Sequence, residues 1–127
     1  MNRSVVLSGA VLICLSIILG AFGAHGLKNI VDDYGIEVFE KGTKYQMYMG
    51  LALLSVGFSA DKLTFNLKWF HLFAVLGVII FSGLLYVLAF KAIVPGVSIA
   101  GAIVPIGGTL MIVAWVIFII QLLKSKI

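Results

Sequence analysis

Four apolar stretches, near residues 5–24, 41–60, 69–90 and 99–123, fill most of a 127-residue chain, and none carries an acid or a base near its middle. A helix needs ~20 such residues to cross a hydrocarbon core of about 30 Å. The first, third and fourth stretches reach that length. The second is apolar only from Tyr45 to Ala60, and it becomes long enough if its helix begins earlier, near Ile36 to Phe39, with a polar first turn outside the hydrocarbon. Backbone amides in lipid must pair within their own segment, so runs of this kind predict helices, and no strand-like alternation competes. The expected fold is all-α: an integral membrane four-helix bundle, one domain over residues 1–127, with a short interfacial helix between spans 1 and 2.

Composition narrows the function classes. With 62% apolar residues, the chain has no room for a soluble catalytic domain, and its longest polar stretch runs from His25 to Lys44. The nine Lys and Arg behind the net charge of +4 are scattered over ends and loops. Positive flanks of membrane helices explain them without nucleic acid. The single cysteine, Cys14, lies inside the first span and has no partner for an internal disulfide. Arg3 ahead of an apolar run, with Ala21, Gly23 and Ala24 behind it, resembles a secretory signal. The run is longer than a signal core and its removal would leave an odd number of spans, so an uncleaved first helix is expected.

An up-down arrangement puts the N-terminus, the second loop and the C-terminus on one side with Arg3, Lys62, Lys68, Lys124 and Lys126. The other side holds Lys28, Lys41, Lys44 and Lys91. Acids count little in this rule, so the expectation is both termini in the cytoplasm.

Two connections are distinctive. In the first, Asp32 and Asp33 read as a helix start or turn and Gly35 as punctuation. Ile36, Val38 and Phe39 then form an apolar stripe against Glu37, Glu40 and Lys41, the pattern of an interfacial helix, with a bend at Gly42 and Thr43. In the third, residues 92–104 are almost uncharged and contain Pro95, Gly96 and Gly101 before Pro105. Either Pro105 opens the fourth helix, leaving 93–104 re-entrant or interfacial, or the helix begins near Val97 and Pro105 kinks it. The kinked helix is the preferred reading. Small residues recur at helical spacing as well: Ser16, Gly20 and Ala24 on the first span, Gly50 with Gly57, and Ser82 with Ala89.

Four segments carry a resemblance: Gly20-Ala21-Phe22-Gly23-Ala24-His25-Gly26-Leu27-Lys28, Tyr45-Gln46-Met47-Tyr48, Phe81-Ser82-Gly83-Leu84-Leu85-Tyr86, and Pro105-Ile106-Gly107-Gly108. In this order and over essentially the whole chain they resemble the domain of unknown function 423 family. That resemblance implies a small, mostly bacterial, four-helix membrane protein, hence a multi-pass protein of the cell membrane, with no biochemical activity attached. One departure stands out. Where the family pattern has a histidine after the second tyrosine, this chain has Met49.

In an up-down bundle the four segments meet at one membrane face. There His25, Lys28, Lys44, Tyr45, Gln46, Tyr48, Ser82 and Tyr86 are the residues of an expected polar pocket between helices, with Lys44 offering an anion or headgroup contact. The structural alternative makes the tyrosines an interface belt, His25 a helix cap and Gln46 a partner of loop backbone. Gly20, Gly23, Gly26, Gly83, Pro105, Gly107 and Gly108 are read as helix-packing or helix-break positions.

Enzymatic chemistry finds little support in this pattern. His71 opens the third span on the face opposite His25, so the two cannot share a metal. Cys14 and His25 are ~16 Å apart along one helix. No serine has a base near it in sequence, and neither a phosphate loop nor paired mid-span carboxylates occur. No catalytic residue, cofactor or metal is expected. The expected function is that of a non-catalytic membrane module binding a membrane lipid or a membrane-protein partner, itself a homo-oligomer or joined to another protein. The alternative is an oligomeric channel or carrier for a small solute, in which Ser82, Tyr86 and Gly107 control flux.

Overall fold

The computed structural model describes residues 1–126. It is all-α: α1 (Arg3–Ala24), α2 (Asp33–Phe58), α3 (Lys68–Leu88) and α4 (Ala100–Lys124), joined through short 3-10 turns at Gly26–Asn29, Ala60–Lys62 and Pro95–Ile99. Three segments, Arg3–Ala24, Lys68–Leu88 and Pro95–Lys124, are long and apolar enough to cross a membrane.

Local chemistry sets the helix starts. The Asn2 side chain accepts the Val5 amide at 3.2 Å, and Asp32 accepts the Gly35 amide at 2.9 Å, each satisfying a donor that a first turn leaves without a partner. Gly35 is therefore inside the first turn of α2 and does not punctuate the loop. The bend expected at Gly42 and Thr43 is absent, and the stripe from Ile36 to Lys41 is the start of α2 itself and not a separate interfacial helix. The reason is periodicity. Val38, Phe39, Gly42, Gln46, Met49 and Leu53 are all buried and fall on one face of an uninterrupted helix. Likewise α4 continues through Pro105, which lies inside the helix and not in its first turn. The Thr109 hydroxyl donates to the Pro105 carbonyl at 2.8 Å.

Helices adjacent in sequence pack side by side, α1 on α2, α2 on α3 and α3 on α4. Their tips confirm the antiparallel order. At the Met1 end the Asn2 amide donates to Gly57 O at 2.8 Å, and the N-terminal ammonium meets Asp61 at 2.6 Å. At the His25 end Leu27, Phe39 and Ala89 form one buried cluster, and Val38, Leu85, Leu88 and Ala100 another. Between the tips, Val5, Leu53, Phe70, Val78 and Ala114 bring all four helices into one core.

Glycines set two of the seams. A Cβ on Gly9 would stand 2.7 Å from Gly50 O and from the Leu54 amide nitrogen, so α1 and α2 touch backbone to backbone there. A Cβ on Gly77 would stand 2.9 Å from Gly107 O, and one on Gly107 would collide with the Phe81 backbone. The small residues of α1 that are buried are Gly9, Ser16 and Gly23, seven apart, whereas a Cβ at Gly20 would meet nothing. Outward, α1 shows Leu7, Val11, Leu15 and Ile18. An apolar surface of this extent matches a lipid environment.

Candidate functional site

A layer of side-chain hydrogen bonds crosses the middle of the molecule and ties α1, α2 and α3 together. Gln46, 4% exposed, donates from Nε2 to Leu12 O at 2.9 Å, and its Oε1 accepts the Tyr86 hydroxyl at 2.6 Å. Ser82 donates to Gly42 O at 2.8 Å, and Ser16 to Thr43 O at 2.8 Å. Three of the four acceptors, Leu12 O, Gly42 O and Thr43 O, are helix carbonyls with a second lone pair to offer, so no backbone bond has to break. Gln46 thus pairs with helix backbone and not with a loop. The layer runs from Leu12, near the middle of α1, to Tyr86, which packs against the Leu27, Phe39 and Ala89 cluster at the His25 end.

The eight expected pocket residues therefore divide. Gln46, Ser82 and Tyr86 come together in that layer. His25, Lys28 and Lys44 are exposed and take no side-chain part in it. Tyr45 and Tyr48 point to a different side of α2, where they stack edge to face with centroids 5.7 Å apart, and Tyr45 meets Phe81 at 5.2 Å.

Those two tyrosines rim an apolar groove between α2 and α4. Its volume is about 570 Å³, and its walls are Tyr48, Met49 and Phe81 on one side and Gly108, Ile112 and Trp115 on the other. The groove stays open because α2 and α4 meet only at its ends and floor. Val38 packs with Ala100 and Val104 near the His25 end, and Trp115 Nε1 donates to Met49 Sδ at 3.4 Å. Met49, 6% exposed, is thus the acceptor for a partly buried indole N–H. Lys41 lies one turn before Tyr45 on the same stripe of α2, and Lys44 one turn before Tyr48. The groove accordingly has an apolar body, two hydroxyls at its mouth and ammonium groups a turn beyond.

The packing residues divide in a similar way. Gly107 is a backbone contact between α3 and α4, and Gly108 makes ordinary contact with the Phe81 ring. A Cβ on Gly23 would stand 3.0 Å from the Phe39 ring, and one on Gly26 would stand 3.1 Å from Phe22. Nothing lies within 4 Å of such an atom at Gly20 or Gly83. Pro105 is exposed within α4.

One pair escapes any reading of the sequence. Ser8 Oγ lies 2.7 Å from His71 Nε2, joining α1 to α3, so a serine does have a base beside it. The partners are 63 positions apart, and nothing local to either residue marks them. Ser8 Oγ also donates to Ser4 O at 2.9 Å, in which arrangement the imidazole N–H donates to the serine. A hydroxyl held that way is a structural bridge, not an activated nucleophile. His71 and His25 sit at opposite ends of the helices. Among the described residues no group of three or more His, Cys, Asp or Glu is placed to hold a metal.

Comparison with known proteins adds a lineage to this geometry. A family model described as "Protein of unknown function (DUF423)" matches residues 19–108. A UPF0382 membrane protein of Staphylococcus saprophyticus is 41% identical over 119 residues, covering 94% of this chain and 96% of its own. One of Staphylococcus haemolyticus is 42% identical with 94% of each covered, and one of Bacillus subtilis 39% with 94% and 95%. No solved structure matches.

Proposed function

The chain belongs to the DUF423 family of small membrane proteins, and from that premise we propose that it is a non-catalytic module of the bacterial cytoplasmic membrane that holds a membrane lipid against α2 and α4. All four helices cross the bilayer in this reading, with both termini in the cytoplasm, as one membrane-spanning bundle. At the standard rise, α2 is about 39 Å long, some 9 Å more than the hydrocarbon core. Its first two turns, with Asp33, Glu37 and Glu40, then stand in the headgroup region and serve as the interfacial segment. Tyr34, in the first turn of α2, falls where an aromatic belt lies, whereas Tyr45 and Tyr48 stand deeper, about 18 and 22 Å from the start of the helix.

The observation that carries the proposal is the α2–α4 groove. It is walled by aromatic and aliphatic side chains and has the Tyr45 and Tyr48 hydroxyls at one end only, with Lys41 and Lys44 one helical turn beyond them on α2. An acyl chain fits the body, and a headgroup meets the ammonium groups of Lys41 and Lys44, which reach back toward the interface. Since Asp32, Asp33, Glu37 and Glu40 balance the lysines at this face, a zwitterionic headgroup suits it as well as an anionic one. Another membrane protein is the competing occupant, with the polar loop from His25 to Lys44 as its contact. Glu40→Ala would then act through loss of that partner.

A channel or carrier draws less support. Ser82, Tyr86 and Gly107 are engaged in helix contacts, and the segment from Ala100 is regular helix with no irregular backbone to line a path. The test is native mass spectrometry of the full chain taken from its membrane in mild detergent. A monomer retaining phospholipid, one molecule of which is lost on Ile112→Trp, is the expected result. A bare monomer would sink the lipid reading, and a lipid-free oligomer would return attention to a pore.

A further inference from the structure

A second groove runs along the other side of the molecule, between α1 and α3 with α2 as its floor. Three cavities of about 340, 350 and 220 Å³ follow one another along it. They share Ser8 and Val75 at one junction and Leu12, Leu15 and Ile79 at the next, so they form one path. The path starts at Lys68 and the Ser8–His71 bond and ends at Gly83 beside Tyr86. From His71 to Gly83 the rise of α3 is ~18 Å. One leaflet contributes about 15 Å to the hydrocarbon core, so the path has the reach of a single acyl chain.

We propose that this α1–α3 groove binds one anionic phospholipid, its phosphate at Lys68 and one acyl chain laid along Val75, Ile79 and Gly83. Three observations carry it. First, the polar groups along the floor are already engaged: Gln46, Ser82 and Tyr86 pair with helix carbonyls or with each other. Among the described residues, the buried side-chain polar atom without a partner is Gln121 Oε1, on α4 and outside this groove. An ion or a polar solute would find nothing to replace its water, whereas hydrocarbon needs nothing. Second, the mouth sits at headgroup depth. Lys68 Nζ lies 5.2 Å from the centroid of the exposed Trp69 ring, an interfacial aromatic next to a basic group at the start of α3. Third, the charge at this end is one-sided. Arg3, Lys62, Lys68, Lys124 and Lys126 face a single acid, Asp61, and the N-terminal ammonium already occupies it. The α2–α4 groove opens at the opposite, charge-balanced end and has no reason to prefer an anionic headgroup over a zwitterionic one, so a preference for the anionic lipid reports on the α1–α3 groove, and this proposal stands independently of that one.

The test exchanges the purified full chain into mixed micelles holding equal amounts of dioleoyl phosphatidylglycerol and dioleoyl phosphatidylcholine, then records native mass spectra. One phosphatidylglycerol should be retained in preference. Lys68→Gln should cut that preference about fivefold, the effect of one basic residue near an anionic surface. Gly83→Trp should abolish the adduct while circular dichroism shows an unchanged helix content, and Leu15→Trp, on the exposed wall of the groove, provides the same block from α1. Ile112→Trp, in the other groove, should leave the preference intact. Equal retention of the two lipids by the unsubstituted chain would overturn the proposal. So would unchanged preference in Lys68→Gln together with both tryptophan variants, or a lipid-free dimer, which would give the groove to a second copy.

Discussion

The two halves of this molecule hold together by different means. The α1–α2–α3 half is latched at mid-depth by hydrogen bonds from Ser16, Gln46, Ser82 and Tyr86, added to a glycine contact at Gly9 and Gly50. The α3–α4 half has no such latch in its middle among the described residues. It closes through Gly77 against Gly107 and through Phe70, Trp115 and Phe118, whose ring centroids lie 5.0–5.6 Å apart. Apolar surface does not drive helices together in lipid, so close backbone approach, ring packing and polar contacts must do so. One half therefore has directional bonds that fix the rotation of each helix, and the other depends on contact area. The open α2–α4 groove lies on the side governed by contact area.

If that contrast is right, the largest loss should come from spoiling the backbone contact that the α3–α4 half cannot replace. Gly107→Val should destabilise by about 3 kcal/mol, the upper end of overpacking costs, in an equilibrium unfolding titration with sodium dodecyl sulfate. Gln46→Leu should cost about 1–2 kcal/mol in the same assay, because it removes two bonds and strands the Tyr86 hydroxyl. Adding Tyr86→Phe to that variant should recover part of the loss, and a strictly additive double mutant would show the two groups are not coupled. Ser82→Ala should cost ~0.6 kcal/mol. Gly83→Ala should stay within about 0.5 kcal/mol of the unsubstituted chain, since its Cβ would enter open space. Should Ser82→Ala match Gly107→Val in effect, the two halves would not differ in the way described.

The sequence was legible wherever the signal was local. Asp32 as a helix start is readable from one side chain and the amide three residues on. Gly50 and Gly57 are readable as packing positions, and a Cβ at either would press on α1. Gly9, the partner of Gly50, was not, although its spacing of seven from Ser16 is the same signal. The expected bend at Gly42 failed because a glycine in an amphipathic segment reads as punctuation, yet this one is buried under the Tyr86 ring. The polar pocket was legible only in part. Gln46 and Tyr86 can be recognised as polar residues near helix ends, but Tyr86 reaches inward while Tyr45, one residue from Gln46, faces another groove.

Membership of the family, the all-α class and the apolar helices that suit a membrane all follow from composition, length and motif order. These are properties that sum along the chain and do not depend on which helix touches which. The pairing of Ser8 with His71, the acceptor role of Met49 and the existence of two grooves on opposite sides follow from helix rotation and offset. Those depend on where two backbones can approach, at Gly9 with Gly50 and at Gly77 with Gly107, and a close approach involves both helices at once.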